Sequence, residues 1–559
     1  MARATKIGND QSPDQLQKDQ LQKDERFDRN FRQIGLLTAL SRVLGFVRDI
    51  CLAQFIGAGA VADAFLVAFK LPNLFRRLTA DGAMTNAFLP VFASVRQSQG
   101  RDKALILAVE VQTMLLFALS AIVILGEIFM PAIIAILAPG FVDDQELYAS
   151  TIALARVTLP YLPMISLVAL WAAVTNAHDR FFGGAVAPVI LNLCLIGGAL
   201  LIPVTGLFGS VPAIATATSG IFGLALPICI AVLVAGTAQM MLMQRMLARI
   251  DAQLSAAPLV PRLRFSISDN SKKMWRAFLP AALGAGGLQL NLLIDMVLAS
   301  LIQVGAISWL YYADRIVQLP LGVIGIALGT ALLPQLSRLE SENDKTEIAN
   351  RIAHSLQIAA FFAIPASIAI ILASKPIIAG LFGYGAFTVQ DSQMAAAALS
   401  AYGVGLVAFV VNKVFQPAFF ASKRGGLVLK ISLLSVGVNV TGSLAMMPYL
   451  GHVGLALATA IASWVGVVIM AVILAREGRL RLSALSALWP ILCAALVMGA
   501  VIAAVHFGSA AYFDGLFMGP FMMVVILVTL GLGSYFGISS WLGTIPPFLF
   551  RKRSGAMKK

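Results

Sequence analysis

The sequence carries few charged residues for its length. Only 12% of its 559 residues are Asp, Glu, Lys or Arg, about half of the roughly 25% found in soluble domains. Because so little polar surface cannot cover several soluble domains, this scarcity excludes a soluble enzyme and a disordered protein. With 59% hydrophobic residues, the composition predicts an all-α polytopic membrane protein.

Cysteine and histidine are also scarce. The four cysteines lie in apolar stretches without CxxC spacing, so we interpret them as core residues rather than disulfide partners or metal ligands. The four histidines are scattered, and neither GxxxxGK[ST] nor GxSxG occurs. We therefore expect no cofactor, no metal site and no nucleotide site, and the identity of any coupling ion stays open.

Positive charge is in excess, with 41 Lys and Arg against 27 Asp and Glu. In a soluble protein this balance could indicate nucleic-acid binding. In a membrane protein it is expected of cytoplasmic loops that face anionic lipids, so we predict anionic lipids as partners and no nucleic acid. Residues 1–30 mix six basic and six acidic residues and lack the apolar segment of a signal peptide, which predicts a polar tail.

Hydropathy predicts fourteen membrane-spanning helices, because a helix needs about 20 apolar residues to cross a bilayer. The spans are 31–57, 60–95, 104–137, 150–177, 184–204, 212–245, 272–302, 306–338, 351–374, 394–421, 428–448, 453–475, 483–506 and 516–545. With the N-terminus inside, the inner loops hold nearly all loop Lys and Arg, and the outer loops hold only Lys375. Both termini are therefore predicted to be cytoplasmic.

Internal repeats indicate a duplication. GAGAVADAFLVAFKLP (57–72) resembles GAISWLYYADRIVQLP (305–320), and FLPVFASV (88–95) resembles LLPQLSRL (332–339). The offsets of 248 and 244 residues correspond to six spans, and an even number of spans gives a parallel repeat. The predicted organisation is a polar tail (1–30), an N-lobe (31–245), a basic linker (246–271), a C-lobe (272–482), two further helices (483–550) and a basic tail (551–559).

Charged residues inside the predicted spans are the main functional signal, because each costs about 2.5–3.5 kcal/mol on insertion scales. The first two spans and the repeat partner of the second span contain Arg42, Arg48, Asp49, Asp63, Lys70, Arg76, Arg77, Asp314 and Arg315. Ion pairing within the protein is one explanation. The excess of bases in the first two spans favours a second, an electropositive cavity between the lobes. Arginine suits bidentate phosphate contacts, so such a cavity predicts an anionic substrate that carries phosphate.

Two further residues are secondary candidates for the cavity. Ser41 shares a helix face with Arg48, as expected of residues seven apart. Lys413 lies in the tenth span, where it either lines the cavity or extends its ammonium to the interface.

The segments SRVLGFVRD…GAGAVADAFLVAFKLPNLFRRLTADGAMTNAFLPVF (41–92) and SWLYYADRIVQLPLGVIGIALGTALLPQLS (308–337) resemble the MurJ/MviN family. These are bacterial lipid II flippases of the multidrug/oligosaccharidyl-lipid/polysaccharide exporter superfamily. The resemblance implies a 14-helix, V-shaped transporter in the inner membrane. It also implies that the last two helices form a groove for a polyprenyl tail.

The resemblance further implies roles for individual residues. The functional arginines of the family fall on Arg42, Arg48, Arg76 and Arg315, and its functional acid falls on Asp63. We expect these arginines to hold a pyrophosphate head group while lipid II moves to the periplasmic leaflet. We expect Asp63 to pair with an arginine in the empty state and to help close a gate. Gln318 stands where some relatives carry an acid.

Alternatives from other classes stay open at this point. A flippase for another polyprenyl-linked glycan shares the phosphate chemistry, whereas a cation-coupled drug exporter would prefer an acidic cavity. A polyprenyl-phosphate glycosyltransferase could use Asp143, Asp144 and Glu146 of the acidic outer loop. An interaction scaffold that has lost transport is a fourth possibility, and peptidoglycan-synthesis proteins are further candidate partners.

Overall fold

The computed structural model describes residues 13–78, 84–207, 220–249, 263–287, 290–342, 344–480, 486, 488–513, 516 and 518–546. Within these residues the backbone forms eighteen α-helices and no β-strand. The helices are α1 (Pro13–Ile56), α2 (Ala60–Leu78), α3 (Met84–Gln99), α4 (Arg101–Leu137), α5 (Gln145–Thr158), α6 (Tyr161–Asn176), α7 (Phe182–Leu207), α8 (Gly220–Ala248), α9 (Asp269–Gly287), α10 (Leu290–Ser300), α11 (Ala306–Glu342), α12 (Lys345–Leu372), α13 (Ser374–Phe382), α14 (Val389–Ala421), α15 (Gly425–Leu450), α16 (His452–Arg476), α17 (Trp489–Phe513) and α18 (Gly519–Trp541).

Ten of the fourteen predicted spans coincide with helical segments that are long and apolar enough to cross a membrane. The fourth span consists of α5 and α6, which continue one another past Pro160. The other four predicted spans lie on α1, on α2 with α3, on α9 with α10, and on α11. The order of helices is therefore consistent with fourteen crossings. The four less apolar spans are the first two of each lobe, and they carry the charged residues identified above.

The first helix is longer than its predicted span. It begins at Pro13, so residues 13–30 of the predicted tail continue the helix. The segment is rich in Gln, Lys, Leu and Glu, which are good helix formers. The remainder of that tail and the whole basic tail 551–559 lie outside the described residues.

The two lobes repeat one packing pattern. In the N-lobe the fourth span (α5 and α6) contacts the second, third and sixth spans, and the fifth span packs on the sixth. In the C-lobe α14 contacts α11, α12 and α16 in the same way, and α15 packs on α16. Since equivalent spans follow in the same order along the chain, the architecture is that of two six-span lobes related by a parallel repeat.

The last two helices pack on the C-lobe. α17 contacts α12, and α18 contacts α13. A separate apolar cluster, which includes Ile491, Met498 and Leu527, fills this junction, and the Tyr535 hydroxyl donates to the Phe361 carbonyl oxygen at 2.6 Å. Many large apolar side chains elsewhere are exposed, for example Ile128 at 63% and Leu532 at 53%, as expected of helices that face lipid.

The predicted linker 246–271 is described only in part. α8 continues to Ala248, residues 263–268 are not helical, and α9 begins at Asp269. The non-helical segment docks on α4, where the Ser268 hydroxyl donates to Glu110 Oε2 at 2.5 Å and the Arg264 amide donates to Thr113 Oγ1 at 2.9 Å. The chain between the lobes is thereby attached to the N-lobe.

Candidate functional site

A buried carboxylate joins the two lobes. Asp49 on α1 is 1% exposed. Arg48 donates to Asp49 Oδ1 from Nη2 at 2.7 Å and from Nε at 2.9 Å. From the C-lobe helix α11, the Tyr311 hydroxyl donates to the same oxygen at 2.7 Å, and Arg315 Nε forms an ion pair with Asp49 Oδ2 at 3.4 Å. We call these four residues the Asp49 cluster, and it holds α1 against α11.

Asn192 on α7 positions the Arg48 side chain. Its Oδ1 accepts from Arg48 Nη1 at 3.0 Å, and its Nδ2 donates to the Ser41 carbonyl oxygen at 2.9 Å. Gly45 lies beside this contact, and a Cβ there would be at an ordinary van der Waals distance of 3.5 Å from the Asn192 amide nitrogen. The structure therefore assigns the Ser41 backbone, rather than its hydroxyl, to the surroundings of Arg48. Sequence reasoning missed Asn192, whose only signal is a polar amide within an apolar span.

On α11, aromatic and amide groups orient Arg315. Its guanidinium carbon lies 4.5 Å from the centre of the Tyr311 ring, a cation–π distance. Gln318 accepts from Arg315 at 3.3 Å and donates to Asp314. Gln318 thus links the adjacent Asp314 and Arg315 side chains, a role that an acid at this position could not fill in the same way.

We predict that Tyr311→Phe weakens transport only in part. The variant retains the ring beneath Arg315 but removes the hydroxyl that donates to Asp49, and a hydrogen bond to a charged group contributes about 1.5–3 kcal/mol. Tyr311→Leu, which also removes the ring, should be more severe. Complementation of a strain depleted of the protein, scored as growth rate, ranks the two variants. Equal growth of both would contradict a role for the ring.

The lobes also meet at the end of the molecule where α1 finishes. We call residues 54–63, 305–312 and 385–386 the closed end. Asp63 on α2 is fully buried and accepts from the backbone amides of Gly305 at 2.6 Å and Ser308 at 2.8 Å. Gly305 directly precedes α11 and Ser308 lies in its first turn, where backbone N–H groups lack partners within the helix. Asp63 is therefore an N-terminal cap supplied by the other lobe.

This geometry differs from the predicted pairing of Asp63 with an arginine. In the conformation described, its carboxylate is satisfied by backbone amides of the other lobe and not by a guanidinium. The physical reason is that the start of α11 offers unpaired donors together with the positive end of the helix dipole. Asp63 lies at the contact between the lobes in this conformation, and its role in gating stays a prediction.

Two glycines related by the repeat lie at backbone contacts across the closed end. Gly57 and Gly305, 248 positions apart, adopt φ of 68° and 96°, which side chains disfavour. A Cβ on Gly57 would lie 2.5 Å from the Ala386 carbonyl oxygen, and one on Gly305 would lie 2.9 Å from that of Ala58. The Ala386 amide also donates to the Gln54 carbonyl at 2.8 Å. Backbone contacts between the lobes therefore seal this end.

The remaining candidates occupy more open positions. Arg42 is exposed, and its Nη1 would lie 2.7 Å from a Cβ built on Gly322 of α11. Lys413 on α14 is exposed, and its Cγ would lie 3.1 Å from a Cβ on Gly325. Glycines on α11 thus make room for two basic side chains.

Three further basic candidates lie on α2. Lys70 and Arg76 are half-buried, and the Arg76 guanidinium donates to Asn73 Oδ1 at 3.1 Å. The side chain of Arg77 lies outside the described residues. The structure therefore brings Arg48 and Arg315 together at Asp49, and it does not place Arg76 in that cluster.

A half-buried carboxylate of the C-lobe escaped the sequence analysis. Asp295 on α10 accepts from Asn439 Nδ2 at 2.8 Å and from Asn291 Nδ2 at 3.2 Å, and it interacts electrostatically with Lys70 of the other lobe. The sequence signal for this site was a single acidic residue within an apolar helix. Such a residue is costly to insert into a membrane and therefore indicates a functional site.

The acidic loop of the glycosyltransferase alternative has a structural explanation. Asp144 caps α5 by accepting from the Leu147 amide at 3.0 Å, and Asp143 is exposed. No group of three or more His, Cys, Asp or Glu residues that could hold a metal ion occurs in the part of the chain that the structure describes. The loop therefore contains a helix cap rather than an assembled pair of catalytic acids.

The fold and this site define a class of protein: a multi-pass membrane transporter of two repeated lobes, with buried charged residues at the contact between them. A family model described as "Lipid II flippase MurJ" matches residues 52–530. The chain therefore belongs to the MurJ family of lipid II flippases. Membership in this family excludes the enzyme alternative, because a flippase transports its substrate.

Curated relatives agree with this assignment. A probable lipid II flippase MurJ of Rhizobium tropici is 38% identical over 454 residues, which cover 81% of each chain. A lipid II flippase MurJ of Burkholderia cenocepacia is 32% identical over 422 residues, which cover 75% of this chain and 78% of the relative.

Solved structures show the same fold. A structure titled lipid II flippase MurJ, inward closed conformation, aligns with a TM-score of 0.73 at 23% identity and covers 93% of this chain and 99% of the other. A multidrug resistance MATE family transporter in its inward-facing conformation aligns with a TM-score of 0.60 at 17% identity over 80% of this chain and 95% of its own. At these identities the likeness concerns the fold alone.

Proposed function

We propose that this protein moves lipid II, the peptidoglycan precursor linked to undecaprenyl pyrophosphate, from the cytoplasmic to the periplasmic leaflet of a bacterial inner membrane. Family membership supports the substrate. The observation that carries the mechanism is the position of Arg48 and Arg315, one from each lobe, on a single buried carboxylate. Two guanidinium groups at the contact between the lobes are suited to a pyrophosphate.

The same proposal places the closed end in the periplasm. The loops at the opposite end carry Arg96, Arg101, Arg180, Lys423 and Arg476 among others, and Lys and Arg accumulate in cytoplasmic loops. Both termini then lie in the cytoplasm. In this orientation the conformation described is sealed toward the periplasm, as a transporter must be while it loads from the cytoplasmic leaflet.

Competition for the arginines would couple binding to opening. Arg48 and Arg315 neutralise Asp49 while the lobes are in contact. A bound pyrophosphate competes with Asp49 for these guanidinium groups and so weakens the interaction between Asp49 and α11. Substrate binding therefore favours separation of the lobes at the closed end. Arg42, Arg76 and Lys413 supply further positive charge for the head group. We propose that the polyprenyl chain remains in lipid along α17 and α18.

A depletion experiment tests the proposed function. Cells that lack the protein should accumulate lipid II that an externally added reagent cannot reach, and the wild-type chain should restore access. We expect Arg48→Ala to restore less than a tenth of wild-type access, because it removes a guanidinium held by Asp49 and Asn192. Arg338→Ala, at a site 78% exposed, should restore access fully.

Each other outcome has a distinct meaning. Full restoration by Arg48→Ala would keep the substrate and remove the proposed site. Lipid II that stays accessible throughout depletion would refute lipid II transport, and assays of other polyprenyl-linked glycans would then identify the cargo. A cation-coupled drug exporter is disfavoured by the basic candidates, since cationic drugs need an acidic or aromatic cavity.

The energy source is a separate question. The sequence has no nucleotide-binding loop, so we propose that membrane potential, an ion gradient or consumption of the product drives transport. A membrane potential supplies about 2.3 kcal/mol per charge for each 100 mV. Dissipating the potential and the ion gradients separately in the same accessibility assay distinguishes these three sources.

A further inference from the structure

A charged pair lies on the lipid-facing surface of the N-lobe. Arg156 on α5 and Glu127 on α4 form an ion pair with 3.8 Å between Nε and Oε2, and their side chains are 47% and 34% exposed. The exposed side chains of α4 next to Glu127 are large and apolar, including Ile124 and Ile128. Charged residues within membrane-spanning segments almost always face the protein interior or a wet cavity, so a pair exposed among lipid-facing side chains requires an explanation.

The pair lies within the membrane rather than at its interface. Glu127 is about 15 Å along α4 from the helix end at Leu137, and Arg156 is about 17 Å along α5 from the helix start at Gln145. The loop that joins these two helix ends lies beside the closed end. Arg156 does not extend its guanidinium toward that interface, because its Nη2 donates to the Glu127 carbonyl oxygen at 3.3 Å. The charge of Arg156 therefore stays at the depth of Glu127.

The pair also leaves hydrogen-bonding capacity unused. At 3.8 Å the two charged groups attract one another without forming a hydrogen bond. In the part of the chain that the structure describes, Arg156 donates to the Glu127 carbonyl oxygen and to no other acceptor, although a guanidinium carries several N–H groups. Polar groups of a second protein would satisfy the remaining donors and the carboxylate, as polar side chains do between helices in membranes.

The surface around the pair is suited to a second helix. The linker covers the other half of α4, where the rings of Phe265 and Phe117 have centres 5.2 Å apart. Among the apolar spans of the N-lobe that the structure describes, α4 is the least buried. Ser120 shares the helix face of Glu127, since residues seven apart align, and both Ser120 and Ala121 are exposed. Small side chains let two helices approach closely, and a hydroxyl can form a hydrogen bond across them.

The charges indicate which protein covers this surface. An acid and a base that lie side by side on one face are self-complementary. A two-fold axis along the membrane normal places Glu127 of one chain opposite Arg156 of a second copy, and Arg156 of the first opposite Glu127 of the second. Each charged group then has two partners of opposite sign at the same depth, and Ser120 lies close to the axis.

We propose that Ser120, Glu127 and Arg156 form the contact between two copies of this chain in the membrane. The contact belongs to the N-lobe and uses no residue of the Asp49 cluster or of the closed end. It goes beyond the proposed transport function, because it assigns an interaction surface on the outside of the transporter.

Disulfide cross-linking in membranes tests the contact. The full-length chain without its native cysteines receives Ser120→Cys, and isolated membranes are treated with copper phenanthroline. We expect a cross-linked dimer at about tenfold the yield of a matched control. The control is Leu532→Cys, at a site on α18 that is 53% exposed. A yield no higher than that of the control would overturn the proposal.

Charge reversals in the Ser120→Cys chain test the pairing itself. Glu127→Arg and Arg156→Glu each place like charges opposite one another across the axis and should lower the yield about tenfold. Two differently tagged chains that carry one reversal each should cross-link with one another when co-expressed, because every contact between them is again of opposite sign. The doubly reversed chain should cross-link with itself.

An apolar variant separates loss of the contact from misfolding. Glu127→Leu/Arg156→Leu leaves no unpaired charge in lipid, so it should support growth of depleted cells while its cross-linking falls about tenfold. Parental cross-linking in this variant, or no recovery between the two reversed chains, would show that the ion pair does not form the contact. A cross-linked product with the mass of this chain plus a different protein would also overturn the proposal. Because cross-linking measures association rather than transport, its failure would leave the proposed function standing.

Discussion

Asp49→Asn should abolish transport and reduce stability more than any other single change at the contact between the lobes. The substitution leaves the half-buried Arg48 and Arg315 without the carboxylate that both approach. Breaking a fully buried ion pair by removing one partner costs about 3–5 kcal/mol, which sets the upper limit here. Tyr311 also loses the acceptor of its hydroxyl. Complementation of depleted cells and thermal unfolding of the purified variant measure the two effects.

Two further variants serve as controls for the effect of Asp49→Asn. Asp143→Asn removes an exposed acid and should change neither property. The double variant Asp49→Asn/Arg315→Gln removes one unpaired guanidinium together with the carboxylate, so it should regain part of the lost stability without regaining transport. An Asp49→Asn protein of wild-type stability would show that water already screens the cluster, and the proposed competition between pyrophosphate and Asp49 would then be wrong.

The sequence predicts the architecture well because the determinants of that architecture are local. Apolar segments of about 20 residues mark spans whatever their neighbours are, and the repeat at 57–72 and 305–320 is visible without a structure. The four polar spans are the hardest to recognise by hydropathy. They could still be placed because each retains an apolar run of about 20 residues between polar loops.

The hydrogen-bond and ion-pair partners of individual side chains could not be predicted in the same way. They depend on contacts between residues that are far apart in the chain. Asp63 and Gly305 are 242 positions apart, and a backbone amide has no signature in the sequence. Asn192 and Asp295 were missed for a related reason, since one polar residue in an apolar helix does not reveal what it faces. Simple charge matching suggested an arginine for Asp63, whereas the unpaired amides at the start of α11 bind it in the structure.

Asp63→Asn should open the closed end. An asparagine can accept from only one of the two backbone amides and presents an NH2 group to the other, and the charge that complements the start of α11 is lost. A hydrogen bond to a charged group contributes about 1.5–3 kcal/mol. A net loss of about 3 kcal/mol would lower the ratio of closed to open molecules roughly a hundredfold.

A cross-linking experiment measures this change. Cysteines at positions 54 and 386, where the backbones approach to 2.8 Å, should cross-link efficiently in a background without native cysteines and poorly once Asp63→Asn is added.

The matched control is Asp144→Asn, because Asp144 also caps a helix at the same end but does so within the N-lobe. It should lower stability by about 0.5–2 kcal/mol and leave cross-linking unchanged. If both variants cross-link like the parent, the seal is maintained by the backbone contacts at Gly57 and Gly305, and Asp63 is not a gating residue. If only Asp63→Asn opens the closed end and also loses transport, then one carboxylate links closure on the periplasmic side to the transport cycle.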